Sequence, residues 1–333
     1  MEAKVLSILE HYDLIISQVR KGRGGFIIET QKGNYFFREY NGNTQKLSLI
    51  YEIQELLKPE IPTDTLVKTK ENTLFVKDND ENTYLLKELI NGRECNYKNE
   101  EEVLYSFSYM AKLHLALKHA YESYLHTNGE NCYQLTYHSS FEELQKHTKE
   151  CRHIRKYLVQ QKNKTEFERI LLQYYDVFLE KAEIVSQKIE ERKEDTLIEN
   201  TKTWLYHGDF QYHNLIFCKN NIVSINYEHL GLGSGTRDFC YLFRKINEKN
   251  NWDISFAKRM LTSYLSIYHP TEEEWNSLCL SLSYPIKFWK IVNFYYNNRK
   301  SWISGRNLEK LNLLLSQELQ KEKLLAELFP CTF

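Results

Sequence analysis

The chain has 333 residues, with 44 Lys and Arg against 45 Asp and Glu, so its formal net charge is -1. A near-neutral protein has no overall attraction for nucleic acid or for an anionic membrane, and we expect neither as a partner. The length favours two domains over a single hydrophobic core. A hydrophobic fraction of 42% excludes disorder for most of the sequence.

Targeting signals and cysteine motifs are absent from the sequence. The first residues lack the apolar core of a signal peptide, and no run of ~18 uncharged apolar residues occurs. We therefore expect a soluble, cytoplasmic protein. The seven cysteines contain no C-x-x-C pair, which argues against a disulfide framework and against a zinc site.

The first part of the chain alternates short helices and strands. Apolar residues recur at helical spacing in two segments, 4–16 and 44–57. Period-two patterns rich in aromatic and β-branched residues predict strands at 26–30, 34–40, 73–77 and 84–90. These elements predict a small α+β lobe comprising residues 1–93.

From Glu100 onward the apolar pattern is mainly helical. Long helices are predicted at 100–117, 141–158, 165–191, 275–282, 284–302 and 308–328. Short strands are predicted at 204–206, 215–218 and 222–227. Residues 94–333 are therefore predicted to form a larger, mainly helical lobe.

The segment from His207 to Asn214 has the pattern H-G-D-x-x-x-x-N, and it resembles the catalytic loop of aminoglycoside phosphotransferases and choline kinases. Phosphoryl transfer requires an Asp that orients and deprotonates the attacking hydroxyl, and an amide oxygen that helps to hold Mg²⁺. Asp209 fits the first role and Asn214 the second. The resemblance implies that His207 supports the backbone of this loop.

A second motif follows at 224–238, where the same families place a strand that ends in a metal-binding Asp. Asn226 stands at that position in this chain. An amide carries no charge, whereas Mg²⁺ is usually held by at least one carboxylate. Glu228, two residues further along the strand, offers a carboxylate on the same face, although with a different reach. The substitution predicts weak Mg²⁺ binding.

Glycine is rare in the sequence, with 12 residues, about half of what average usage of ~7% would give. Gly22, Gly24 and Gly25 nevertheless lie together just before the first predicted hairpin. The resemblance implies that they form the loop that covers the nucleotide. A glycine-rich segment of this kind is equally consistent with an ordinary turn.

The resemblance to the phosphotransferase families also implies a nucleotide site in the small lobe. Arg38 stands where the families carry the Lys that binds phosphate, and it keeps the positive charge with a wider head group. Glu52 on the next helix is its predicted partner, with Glu55 as the alternative. The backbone at Glu88 and Leu89 resembles the hinge that bonds adenine. ATP and Mg²⁺ are the implied cofactors, with weak binding.

Residues 284–302 resemble the Y-P-x-x-F-W-K…Y-Y-N…W helix of CotS-type bacterial spore coat proteins, kinase-fold relatives of the aminoglycoside phosphotransferases. The resemblance extends over 17–302. It implies an α+β, two-lobed protein-kinase-like fold with a small antiparallel-sheet lobe and a large helical lobe. The aromatic residues of the helix, such as Phe288, are expected to pack in the core.

Two functions remain open at this point. One is a spore-coat-associated protein, made in the mother-cell cytoplasm and deposited in the coat with other coat proteins, whose phosphotransferase activity is weak or absent. The other is an active kinase that uses ATP and Mg²⁺ to phosphorylate a hydroxyl of a small molecule. Asn226 favours the first, and the sequence names no acceptor.

Overall fold

The structure is a computed structural model that describes residues 2–129, 135, 137, 139–191, 204–219, 221–298 and 304–330. The chain divides into two compact units, Met1–Thr136 with Trp204–Leu232, and Tyr137–Thr203 with Gly233–Phe333. This division does not fall at residue 93, where the sequence places the lobe boundary. The reason is that the chain just after residue 91 pairs with a later hairpin of the same unit, Arg93 with Phe217 and Glu94 with Ile216.

The described part of the first unit includes a five-stranded antiparallel sheet and three α-helices. The strands are β1 (Ile16–Gly22), β2 (Gly25–Thr30), β3 (Gly33–Tyr40), β4 (Val76–Lys77) and β5 (Thr83–Glu88). The helices are α1 (Glu2–Leu9), α2 (Lys46–Leu57) and α3 (Glu100–Asn128). The strand order is β1-β2-β3-β5-β4. Buried residues of α1 and of β2, β3 and β5 form one apolar cluster, which holds this helix against the sheet.

Strand β1 corrects the prediction for the N-terminal segment. The sequence predicts a helix over 4–16, but α1 ends at Leu9 and Ile16 already begins the strand. Most side chains of β1 are exposed or half-buried, so its sequence has too few apolar residues to show the period-two pattern of a strand. The glycine-rich segment therefore lies between two strands, β1 and β2.

Short strands of the first unit carry the catalytic-loop motif. They are β6 (Arg93–Glu94), β7 (Trp204–Tyr206), β8 (Leu215–Phe217) and β9 (Ile222–Ser224). Strands β6, β8 and β9 form one small antiparallel sheet in that order. The predicted loop from His207 to Asn214 lies between β7 and β8. The predicted strand over 222–227 ends at Ser224, so Asn226 lies beyond β9, and Glu228 lies in a short 3₁₀ turn, Tyr227–His229, instead of on a strand face.

The second unit is mainly helical, as predicted. Its helices are α4 (Ser140–Gln160), α5 (Glu166–Glu191), α6 (Thr236–Lys249), α7 (Ile254–Leu265), α8 (Glu272–Ser283), α9 (Ile286–Asn298) and α10 (Ser304–Leu328). Residues of α4, α5, α9 and α10 share one apolar core. Trp302 of the predicted motif lies outside the described residues. No helix in the described ranges has both the length and the apolar character needed to cross a membrane.

A cavity of about 100 Å³ in the second unit is lined by polar and aromatic side chains, including Lys321 on α10. Lys321 is 9% exposed, and its Nζ lies 5.8 Å from the ring centroid of Trp252. Burial lowers the pKa of Lys321, although the nearby Glu318 acts in the opposite direction. The charged form of this lysine is therefore disfavoured in the folded protein.

We expect Lys321→Met to be more stable than the wild-type protein near neutral pH, and the difference to shrink toward about pH 10. Between the lowered folded pKa and the ordinary pKa of the unfolded chain, the unfolded state binds more protons, so wild-type stability rises with pH. Urea denaturation at both pH values measures this. Lys323→Met, at an exposed position of the same helix, is the control, and a pH-independent difference for Lys321→Met contradicts the prediction.

Candidate functional site

A buried lysine lies at the centre of the site. Lys87 on β5 is 3% exposed, and its Nζ lies 2.7 Å from Asp64 Oδ2, 2.7 Å from Asn226 Oδ1 and 2.8 Å from Glu228 Oε1. An ammonium group has three donors. These three oxygens therefore satisfy all of them.

The sheet fixes the position of this lysine from both sides. Lys87 pairs with Phe36 of β3 and forms an antiparallel bridge with Leu66 on its other side. The carboxylate of Asp64 is fixed as well, because its Oδ2 also accepts a 2.9 Å hydrogen bond from the backbone N–H of Asn226. The backbone of Lys87 is thus fixed by strand pairing, and the Asp64 carboxylate is fixed by a backbone donor.

The pKa values of this cluster follow from burial and from the ammonium. Burial raises the pKa of Asp64 to about 6, with Lys87 acting against it. Burial also acts to raise the pKa of Glu228, but the ammonium of Lys87 outweighs it and lowers the pKa to about 2. For Lys87, burial is likewise outweighed, since Asp64 and Glu228 raise its pKa. The cluster therefore contains a charged lysine with at least one charged carboxylate at neutral pH.

The catalytic-loop residues lie beside this cluster. Asp209 accepts hydrogen bonds from Gln211 Nε2 at 2.8 Å and from Asn214 Nδ2 at 2.6 Å. His207 is fully buried. Its Nδ1 accepts from the N–H of Asp209 at 3.2 Å, and its Nε2 lies 3.1 Å from the carbonyl oxygen of Ile225. His207 thus joins the loop to Ile225, the residue before Asn226, and its support of the loop backbone stays a prediction from the resemblance.

The predicted metal ligands are largely occupied by one another and by Lys87. Asn214 Oδ1 accepts a 2.9 Å hydrogen bond from Asn226 Nδ2, and Asn226 Oδ1 accepts from Lys87. Among the described residues, Glu228 Oε2 is a buried oxygen with no hydrogen-bond partner. No group of three His, Cys, Asp or Glu side chains in the described part of the chain is arranged to hold a metal ion. These residues do not fit Mg²⁺.

Asn226 adopts the left-handed backbone conformation, with φ 71°. Asn and Asp are the non-glycine residues that accept this conformation most readily. The backbone at this position therefore suits either Asn or Asp. The presence of Asn instead of Asp changes the charge of the side chain without a cost in backbone conformation.

The predicted pairing of Arg38 with Glu52 is wrong. The Glu52 carboxylate instead accepts a 2.9 Å hydrogen bond from Asn128 Nδ2, and the alternative, Glu55, pairs with Lys58. Arg38 Nη1 lies 3.9 Å from Glu228 Oε1, so it contacts the site through a different carboxylate. Arg38 pairs with Leu85, which places its side chain on the same face of the sheet as Lys87, two residues along β5.

The backbone N–H groups of the predicted adenine-binding hinge already have partners in this structure. The N–H of Glu88 donates to the carbonyl oxygen of Thr65 at 2.9 Å, and the N–H of Leu89 donates to Asn34 at 2.9 Å. Both donors are engaged because this end of β5 has hydrogen-bonded neighbours on both sides. An adenine binds these N–H groups only if one of the bonds breaks.

The glycine-rich segment is the turn of the β1–β2 hairpin. Gly22 pairs with Gly25, so Arg23 and Gly24 form the tip, and Gly24 has φ 78°. Arg23 Nη1 lies 3.2 Å from Glu94 Oε1 and 3.5 Å from His213 Nδ1. The turn thus reaches the catalytic loop, although whether it covers a nucleotide stays a prediction.

Sequence reasoning missed Lys87 and Asp64. Lys87 carried a signal, since it is a lysine inside an otherwise apolar strand, Leu85-Leu86-Lys87, where a charge must be paired if the strand is buried. Asp64 carried none, because it follows a Pro and a Thr in a segment with no regular pattern. Only the fold shows that these two residues meet.

Comparison with known proteins gives one curated relative. The chain is 22% identical to spore coat protein S of Bacillus subtilis (strain 168) over 351 residues, covering 98% of this chain and 94% of the relative. No protein-family model matches the chain. The similarity confirms the resemblance to spore coat proteins inferred from 284–302.

Solved structures establish the fold. An aminoglycoside phosphotransferase from Alicyclobacillus acidocaldarius superposes with a TM-score of 0.82 at 18% identity, covering 97% of this chain and 94% of that chain. An amicoumacin kinase in complex with AMP-PNP and Ca²⁺ gives 0.60 at 13% identity, covering 100% and 95%. Choline kinase from Cryptosporidium parvum gives 0.52 at 16%, covering 98% and 99%. The fold is therefore protein-kinase-like, as predicted.

Proposed function

We propose that this chain is a spore-coat-associated protein that uses a kinase-like fold for assembly or ligand binding, with weak or absent phosphotransferase activity. Its similarity to a spore coat protein over nearly the full length supports the location. The mother-cell cytoplasm is the proposed place of synthesis, and other coat proteins are the proposed partners.

One observation carries the catalytic part of this proposal. The two amide side chains at the predicted metal positions, Asn214 and Asn226, hydrogen bond to each other, and neither brings a negative charge. Phosphoryl transfer in kinases depends on metal ions that bridge the phosphates and neutralise the charge that develops on them. Without a carboxylate at position 226, this stabilisation is largely lost.

We expect ATP to raise the melting temperature of the protein only slightly, and Mg²⁺ to add nothing to that rise. A ligand that binds the folded state stabilises it by RT ln(1 + [L]/Kd), so tight binding shows as a clear shift. Thermal melts with ATP, with Mg²⁺ and with both provide the measurement. A large shift that requires ATP and Mg²⁺ together would refute the proposed loss of phosphotransferase function.

The alternative function is an active small-molecule kinase, and the geometry of Asp209 favours it. This carboxylate is half-exposed and is oriented by hydrogen bonds from Gln211 and Asn214, which suits a group that accepts a proton from a bound hydroxyl. Any genuine transfer from ATP would then be abolished in Asp209→Asn, which keeps the size of the side chain but leaves one oxygen to accept from Gln211 or Asn214. Phosphate release that is equal in the wild-type protein and in Asp209→Asn argues against this alternative.

A further inference from the structure

We propose that the ammonium of Lys87 is a tethered cation that takes the place of the divalent metal in this site. The sequence leads us to expect metal ligands at Asn226 and Glu228, and the structure shows an oxygen of each within 2.8 Å of Lys87 Nζ. The proposal deepens the proposed function, since it says how the site is closed to Mg²⁺.

The charges of the cluster support this assignment. Asp64 and Glu228 are the carboxylates in contact with the ammonium, and Arg38 lies 3.9 Å from the same oxygen of Glu228. Lys46 Nζ donates to the backbone carbonyl oxygen of Glu228 at 3.1 Å. Side chains therefore already supply the positive charge that these buried carboxylates require. A divalent cation would enter a site that is compensated without it.

Displacement of the lysine by a metal ion is unfavourable. To free the oxygens of Asp64, Asn226 and Glu228, the ammonium must give up three short contacts. The backbone of Lys87 is hydrogen bonded to neighbouring chain segments on both sides of β5. Taking a buried ammonium away from its three oxygen partners is costly. The lysine side chain also keeps the ammonium at the carboxylates because it is covalently attached to β5, whereas a metal ion must bind from dilute solution.

Lys87 should therefore mask a latent metal site. Replacing Lys87 by Met removes the charge and shortens the unbranched side chain by one atom, which leaves room for an ion. Asp64 and Glu228 are then left as buried carboxylates without their ammonium, beside the free oxygen of Asn226. Oxygen donors of this kind are the preferred ligands of Mg²⁺ and Mn²⁺.

The experiment titrates Mn²⁺ alone, without nucleotide, and follows binding by electron paramagnetic resonance and stability by thermal melts. We expect the wild-type protein to bind no Mn²⁺ at this cluster and to melt at the same temperature in Mn²⁺ and in EDTA. Lys87→Met should melt lower in EDTA, bind one Mn²⁺ and regain part of the loss. The triple variant Lys87→Met/Asp64→Asn/Glu228→Gln is the control, and it should show no response to Mn²⁺.

A second variant keeps the test valid if Lys87→Met does not fold. Asn226→Asp retains Lys87, and its added carboxylate lies next to the ammonium, so we expect it to gain no stoichiometric Mn²⁺ site. If both single variants fold, the double variant Lys87→Met/Asn226→Asp should bind Mn²⁺ about tenfold or more tightly than Lys87→Met, because a full charge is added in contact with the ion.

Two outcomes overturn the proposal. One is stoichiometric Mn²⁺ binding by the wild-type protein or by Asn226→Asp that the carboxylate substitutions Asp64→Asn and Glu228→Gln remove. The other is a folded Lys87→Met variant that binds no Mn²⁺. Because no nucleotide is present, neither outcome depends on whether the protein binds ATP or transfers phosphate, so failure here is distinct from failure of the proposed function.

Discussion

Gly208→Ala is expected to lower the free energy of unfolding by about 2–5 kcal/mol, as the sum of backbone strain and steric overlap. Gly208 follows His207 in the catalytic loop and has φ 83°. A Cβ built at this position would overlap the carbonyl oxygen of His229. The backbone oxygen has no rotamer by which to move away, so the loop itself must shift. Chemical denaturation of both proteins measures the loss.

Gly24→Ala is the matched control for this variant. Gly24 has a similar left-handed φ of 78°, but no described atom lies within 4 Å of a Cβ built there. Only the backbone strain remains, and we expect a loss of about 1–2 kcal/mol. The difference between the two variants isolates the close approach at Gly208. Equal losses would show that His229 moves aside freely and that this approach does not constrain the loop.

Phe288→Ala is expected to cost about 3–5 kcal/mol of stability, the range for removing a large aromatic side chain from a core. Phe288 on α9 is 1% exposed. Its ring lies edge-on to Tyr175 at 5.0 Å and stacks on Phe178 at 4.6 Å. The motif that resembles the spore coat proteins thus contributes to packing here. Denaturation of the variant by urea, read by circular dichroism, tests the loss.

Phe294→Ala on the same helix provides the control. Phe294 is 41% exposed, so truncation removes less buried surface than at Phe288, and we expect a smaller loss of about 1–2 kcal/mol. The two variants delete the same atoms from one helix and differ mainly in burial. A small loss for Phe288→Ala, similar to that for Phe294→Ala, would mean that the shared core of α5 and α9 is loosely packed.

Local patterns made most of the fold predictable. Helices α4, α5, α8, α9 and α10 were predicted because each has apolar residues at a 3.6-residue period that define one face. The sequence did not predict strand β1 because its side chains are mostly exposed, so burial imposed no alternating apolar pattern on it. The compact units differ from the predicted lobes for another reason. Pairing of Arg93–Glu94 with β8 joins segments that are distant in the sequence, and no local pattern reports such a contact.

The sequence by itself determined the catalytic-loop motif and the departure at Asn226, because both consist of residue types at fixed short spacing along the chain. The tertiary structure alone decided what surrounds Asn226. Lys87 is 139 residues away in sequence, and Arg38 contacts Glu228 where Glu52 was expected. Strand pairing and the burial of charge select these partners. A buried ammonium requires oxygens from whichever segments the fold brings to it, and that set is fixed only when β5 and the segment after β9 are placed together.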